Sequence, residues 1–168
     1  QIAVDPTIVG SHIVIALQSI VSRNADPTDQ IVVSVTSFET SSTAFNVIPQ
    51  TVVLKGTVRT LSDETRDLAE KRLEEIARKT GDVFGANVDP VYTRGYPVMT
   101  NSFDQTEFAA SVAKSVSGYC EEAPLVMGGE DFSYMAIERP GAYILIGIGD
   151  SAPVHNPHYN FNDEAISI

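Results

Sequence analysis

Ile31-Val32-Val33-Ser34-Val35-Thr36-Ser37-Phe38 is followed, at Thr51-Val52-Val53-Leu54-Lys55-Gly56-Thr57-Val58-Arg59-Thr60, by a second run of the same kind. Both read as strands, rich in Val and Thr. In the second, Val52, Leu54 and Val58 point one way and Lys55, Thr57 and Arg59 the other. The first places Ser34 and Thr36 on one face. Upstream, Asp5 caps a helix and Pro6 opens it, where a missing N–H costs nothing. Ile8, Val9, Ile13, Ile15, Ala16, Leu17, Ile20 and Val21 spread round most of that helix, which predicts burial on more than one side. It stops near Asn24, before Asp26-Pro27.

Downstream, Ser62 caps a second helix, with Asp63 and Glu64 in its first turn. Leu68, Ala69, Leu73, Ile76 and Ala77 form its apolar stripe, and Gly81 or Gly85 ends it. A third strand is expected from about Ala86 to Arg94, with Pro90 marking an edge position. Helix, strand, strand, helix, strand is the order of a ferredoxin-like unit whose first strand is missing. Gly95-Tyr96-Pro97 reads as a linker, so the expected domains are 1–97 and 98–168. In the second, Ser102 to Ser117 is a helix with Phe103, Phe108, Val112 and Val116 on its apolar side. Met127-Gly128-Gly129-Glu130-Asp131 is a glycine turn opening a short helix. Ala142 to Ile148 suits a strand buried on both faces, and a last helix begins at Asn162.

Composition narrows the function. The chain has 168 residues, 11 basic and 22 acidic, for a net charge of −11. Such a surface repels phosphate backbones and argues against a nucleic-acid partner. Residues 98–168 hold 2 basic and 10 acidic side chains of that total. No apolar run approaches the ~20 residues of a membrane-spanning helix, and no basic segment precedes an apolar one at the start. The single cysteine, Cys120, excludes an internal disulfide and a cysteine-cluster metal site. The expectation is a cytoplasmic protein. Gln1 opens the chain without a methionine and Ile168 ends it inside a helix, so both ends read as cuts.

Three groups of residues invite chemistry. His155-Asn156-Pro157-His158 follows the predicted buried strand, where α/β proteins place their sites. Imidazole is a favoured metal ligand, yet two histidines do not fill a site, and histidines in a surface turn need no function. Gly128 and Gly129 allow a ligand close to the backbone, although Glu130 and Asp131 are equally plain first-turn acids. Arg59, on the polar face of its strand, can grip a carboxylate through two hydrogen bonds. Asn46 sits among Phe45, Val47 and Ile48, an odd place for a merely solvating amide. The bland reading of that pair is a turn-forming Asn and a surface Arg. His12 reads as structural, and nothing singles out Arg94, Tyr96 or Asn101.

Taken together, Asp5-Pro6 through Ser22-Arg23-Asn24, Ala44-Phe45-Asn46-Val47-Ile48-Pro49, Gly56-Thr57-Val58-Arg59-Thr60 and Arg94-Gly95-Tyr96-Pro97 resemble the lid domain of the M20 peptidase family. Met127-Gly128-Gly129-Glu130-Asp131-Phe132 and Val154-His155-Asn156-Pro157 through Phe161-Asn162-Asp163-Glu164 resemble the C-terminal part of its catalytic domain. The resemblance is to the branch that cleaves hippurate, N-acyl amino acids and indoleacetyl-amino-acid conjugates. It implies a lid and dimerisation domain followed by the end of a two-metal α/β hydrolase domain, with zinc or manganese as the metals. It matches His155, not His158, to the last metal ligand, and Asn46 and Arg59 to the pair that binds the substrate carboxylate. Gly128, Gly129 and Glu130 would line the substrate pocket. The other ligands, the general-base glutamate and the lid histidine would lie upstream of Gln1, so no catalytic residue is assigned here and the 168 residues alone are expected to be inactive. It also implies a homodimer through the lid, and the expected contact is the strand Ile31 to Ser37, whose edge needs a partner, with the helix before it, too apolar to face water. The competing readings are another activity of the family, such as dipeptidase or aminoacylase, and a non-catalytic dimerisation or amino-acid-binding module.

Overall fold

The computed structural model describes residues 3–168, and the chain divides into two compact units, Gln1–Val98 and Met99–Ile168.

In the first unit, helix α1 spans Pro6–Ser19. Asp5 caps it, its Oδ1 accepting from the Thr7 N–H at 2.9 Å and the Thr7 hydroxyl at 2.7 Å. Val9, Ile13, Leu17 and Ile20 form one buried stripe at helical spacing. Burial on more than one side does not occur: Ile8 and Ile15 are exposed, because no element among the described residues covers that face. A π-helical turn, Ile20–Asn24, ends the segment, with the Ala25 N–H donating to the Ile20 carbonyl at 2.9 Å. Arg72 pins this turn by donating to Asn24 Oδ1 at 3.0 Å.

Strands β1 (Ile31–Thr40) and β2 (Val52–Thr60) form an antiparallel hairpin, with Ile31 opposite Thr60 and Thr40 opposite Val52. A bulge between Val35 and Ser37 resets the alternation of β1. Ile31, Val33 and Val35 lie on the helix side before it. After it, Phe38 pairs with Leu54 and takes that side. Gly10 of α1 makes the room, since a Cβ there would lie 3.1 Å from the Phe38 ring and 3.2 Å from Val52. The other face of the sheet carries Val32, Lys55, Thr57 and Arg59, with Lys55 paired to Glu39 at 3.0 Å.

Helix α2 (Asp63–Phe84) lies on the same face as α1. Ser62 Oγ accepts from the Thr65 N–H at 3.1 Å. Gly85, at φ +70°, closes the helix, a left-handed position that suits glycine. Ala69 and Ala77 are buried in one core with the α1 stripe and with Ile31 and Val33, and Leu73 and Ile76 are partly buried beside them. The expected third strand is absent. Ala86 and Val88 do pack on the core, but no strand among the described residues lies beside residues 86–94, so their backbone has no ladder to join. The sheet therefore has two strands, not the three expected.

Glycine at position 56 is required by close approach. A Cβ there would fall 2.2 Å from the Ser34 carbonyl oxygen and 3.1 Å from Val35 Cα, both backbone atoms that cannot move without opening the hairpin. Gly56→Ala is expected to cost about 2–4 kcal/mol, read as a lower urea midpoint. Gly95→Ala, where a Cβ meets nothing within 4 Å, should change stability by less than about 0.5 kcal/mol.

The second unit contains α3 (Phe103–Ser117), closed by Gly118 at φ +76°, the short helix α4 (Phe132–Glu138) and a 3-10 turn, Asp163–Ser167. Ala142 to Ile148 is not a strand and is not buried on both faces: Ile144, Leu145 and Ile146 are exposed. No partner strand and no covering layer exist for it among the described residues, so its apolar pattern has nothing to pack against. Phe103, Phe108, Val112 and Val116 of α3 are exposed for the same reason.

Candidate functional site

Asn46 lies in the loop between the two strands, within a turn closed by the Val47 N–H donating to the Ala44 carbonyl at 3.4 Å. Ser41 ties the loop base, its Oγ accepting from the N–H groups of Gln50 and Thr51, each at 3.1 Å. Asn46 is exposed and its neighbour Phe45 wholly so, which shows that the loop does not fold back on the sheet.

Arg59 stands at the other end of the hairpin, opposite Val32. From Val52 to Arg59 is seven residues, or ~23 Å at ~3.3 Å per residue. Within one chain, then, Asn46 and Arg59 do not meet at a single carboxylate. Arg59 is exposed, and no hydrogen bond or ion pair engages its side chain among the described residues. Arg66, Arg72 and Arg94 differ, being paired with Asp63, Glu75, and Asp67 and Glu70. Arg94 is thus a clasp that holds the segment after α2 onto that helix. His12 stacks against Phe84, ring centroids 4.7 Å apart, as a structural residue does.

In the second unit, Gly128 and Gly129 are exposed and lead into Glu130, whose carbonyl accepts from the Ser133 N–H at 3.2 Å and the Ser133 hydroxyl at 2.5 Å. Ser133 is fully buried. The Tyr143 hydroxyl donates to Glu130 Oε2 at 2.8 Å. That bond, with a smaller contribution from the Asp131 side chain, holds the Glu130 carboxyl below its usual range, and the same carboxylate pushes the Tyr143 phenol up. Asn101 brackets Tyr143, its Oδ1 accepting from the Tyr143 N–H at 2.8 Å and its Nδ2 donating to the Tyr143 carbonyl at 3.0 Å. Phe132 lies against the Tyr143 ring at 5.9 Å. The sequence reading missed Tyr143; the signal was a single hydroxyl inside the otherwise apolar run 142–148.

His155 sits in a turn closed by the Asn156 N–H donating to the Pro153 carbonyl at 3.1 Å. Its φ of +69° makes it the one non-glycine residue in the left-handed region among the described residues. That conformation costs a β-carbon-bearing residue roughly 1–2 kcal/mol, and it concentrates at functional positions. His158 is different: its N–H is engaged by Asn156 Oδ1 at 2.9 Å, an ordinary side-chain turn. No hydrogen bond or ion pair joins Glu130 to His155.

A metal needs three or four ligands. Among the described residues no group of three His, Cys, Asp or Glu side chains comes together, so these residues do not by themselves make a metal centre. His155 is at most one ligand of such a set.

The chain is 35% identical over 169 residues to the hippurate hydrolase of Campylobacter jejuni, covering 98% of this chain and 44% of that protein. It is 34% identical over 177 residues to IAA-amino acid hydrolase ILR1-like 2 of Arabidopsis thaliana, covering 99% and 39%. Its fold superposes with a TM-score of 0.75 and 27% identity on the Bacillus subtilis YXEP protein, described as a dinuclear metal binding peptidase from M20 family, over 98% of this chain and 43% of that one. The chain thus spans less than half the length of these relatives. No helix among the described residues is long and apolar enough to cross a membrane. With the glycine turn, the His155 loop and the hairpin all inside a match that runs over residues 4–168, the chain belongs to peptidase family M20/M25/M40.

Proposed function

We propose that the intact protein is a metal-dependent hydrolase of the amide bond in N-acyl amino acids, hippurate-like or indoleacetyl conjugates, and that this chain supplies its lid and the end of its catalytic domain. The observation that carries the reading is near-complete coverage of this chain by relatives named for those substrates. In this reading His155 is one ligand of a two-metal centre of zinc or manganese, whose other ligands and general base come from outside these 168 residues. When bound, the metals supply Lewis-acid activation. Arg59 and Asn46 bind the substrate carboxylate, and Gly128, Gly129 and Glu130 line the pocket.

The span of the hairpin adds a requirement. One carboxylate can meet both Asn46 and Arg59 only if they come from different subunits, so the working form is a homodimer joined through the lid. Two features support a partner there: the outer ladder of β1 is unpaired among the described residues, and Ile8 and Ile15 of α1 are exposed.

Full-length protein loaded with zinc or manganese should hydrolyse N-benzoylglycine and lose turnover to a chelator, and the 168 residues alone should show none. Faster hydrolysis of simple dipeptides would move the protein to a neighbouring activity of the family. Failure on every N-acyl amino acid with metal bound would leave a non-catalytic binding module. The dimer has its own test. Equal mixing of Asn46→Ala and Arg59→Ala subunits creates hybrids with one intact site, so roughly a quarter of wild-type sites should return. No recovery after subunit exchange would place both groups in one subunit's site.

A further inference from the structure

We propose that Tyr143, itself held by Asn101, is a positioning residue that fixes the Glu130 carboxylate in the glycine turn, and that this fixed negative charge selects N-acyl amino acids whose acyl group carries no carboxylate. The proposal rests on the reading of Gly128, Gly129 and Glu130 as pocket lining.

The restraint on Glu130 comes from two directions. Its backbone carbonyl takes two hydrogen bonds from Ser133, which is fully buried. Its side chain is anchored through Oε2 by the Tyr143 hydroxyl at 2.8 Å. Tyr143 cannot easily swing away, because both its backbone polar groups are bound by the Asn101 amide and its ring rests on Phe132. Phe132 is in turn backed by Gly141, where a Cβ would come within 3.3 Å of the ring. The Phe132 N–H donates a long hydrogen bond to the other oxygen, Oε1, at 3.5 Å, so both oxygens of this carboxylate are held from its own unit. No Lys or Arg is bonded to Glu130 to neutralise it. A second carboxylate on the acyl side of a substrate would face that charge, with Asp131 adjacent, and be repelled. A neutral benzoyl, acetyl or indoleacetyl group would not.

The test uses metal-loaded full-length protein and a matched pair, the N-acetyl and N-succinyl forms of one amino acid. Wild type should favour the acetyl form by roughly fivefold in kcat/KM for this charge alone at low ionic strength, shrinking as salt is added. Glu130→Gln should remove that difference. Tyr143→Phe, which keeps the ring and loses only the hydroxyl, should weaken it and raise the Glu130 titration midpoint, followed by carboxyl-carbon NMR without substrate. Asn101→Ala should move the same midpoint in the same direction. An unchanged midpoint in Tyr143→Phe overturns the positioning role, and an unchanged substrate ratio in Glu130→Gln overturns the selectivity. Absence of turnover on both acyl forms defeats the amidohydrolase reading and the selectivity with it, and is told apart because the titration needs no substrate.

Discussion

His155→Ala in the full-length protein is expected to lower metal affinity by roughly a hundredfold or more, while His158→Ala leaves metal content near wild type. Metal per subunit, measured after dialysis against a weak chelator, reads both. The argument begins with the backbone. His155 is held at φ +69°, in a conformation that His tolerates only at a cost. The turns on either side, closed by Asn156 and Tyr159 N–H groups at 3.1 and 2.9 Å, impose that geometry. A surface turn with no function could place Gly or Asn there without strain. His158 has its N–H satisfied locally and nothing unusual about its backbone. A glycine variant separates strain from ligation. His155→Gly should lose metal as fully as His155→Ala, yet its metal-free form should be more stable than that of His155→Ala by about 1 kcal/mol. Greater metal loss in His158→Ala than in His155→Ala would reverse the assignment.

Arg59→Ala should cost roughly 1.5–3 kcal/mol in kcat/KM on N-acyl amino acids, and little on the corresponding N-acyl amides. The difference arises because only the acid presents a charge for the guanidinium to grip in two places. Arg59 suits that role by its place on the hairpin. It lies on the sheet face away from both helices, paired across the ladder with apolar Val32, and it is not spent on an internal ion pair as Arg66, Arg72 and Arg94 are. Kinetics on a matched acid and amide decide it. Equal losses on both would mean that Arg59 is structural.

The hairpin and its flanking helices were legible because their signals are local. Asp5-Pro6 and Ser62 cap helices through atoms two or three residues away, and the alternation of β2 follows from the pleat. The M20 kinship was legible too, carried by short runs such as Met127 to Phe132 and Val154 to Pro157. The bulge at Val35/Ser37 was not, since nothing in the run Val-Thr-Ser announces a change of phase. It shows only once Phe38 must meet Leu54 and Gly10.

Ala86 to Arg94 and Ala142 to Ile148 divide the two kinds of knowledge most sharply. By itself the sequence determined which residues are apolar, where helices start and stop, and which family the motifs resemble. Those are properties of a few adjacent side chains. Only the tertiary structure decided that neither segment is a strand, because a strand exists through hydrogen bonds to another strand and none lies beside them among the described residues. The same holds for function. The sequence singled out Asn46 and Arg59, but it took the run of β2, ~23 Å from Val52 to Arg59, to set them at opposite ends of the hairpin. The sequence likewise marked Glu130, and only folding brought Tyr143, thirteen residues on, to hold its carboxylate. Pairing and distance are properties of the folded chain, and no local pattern encodes them.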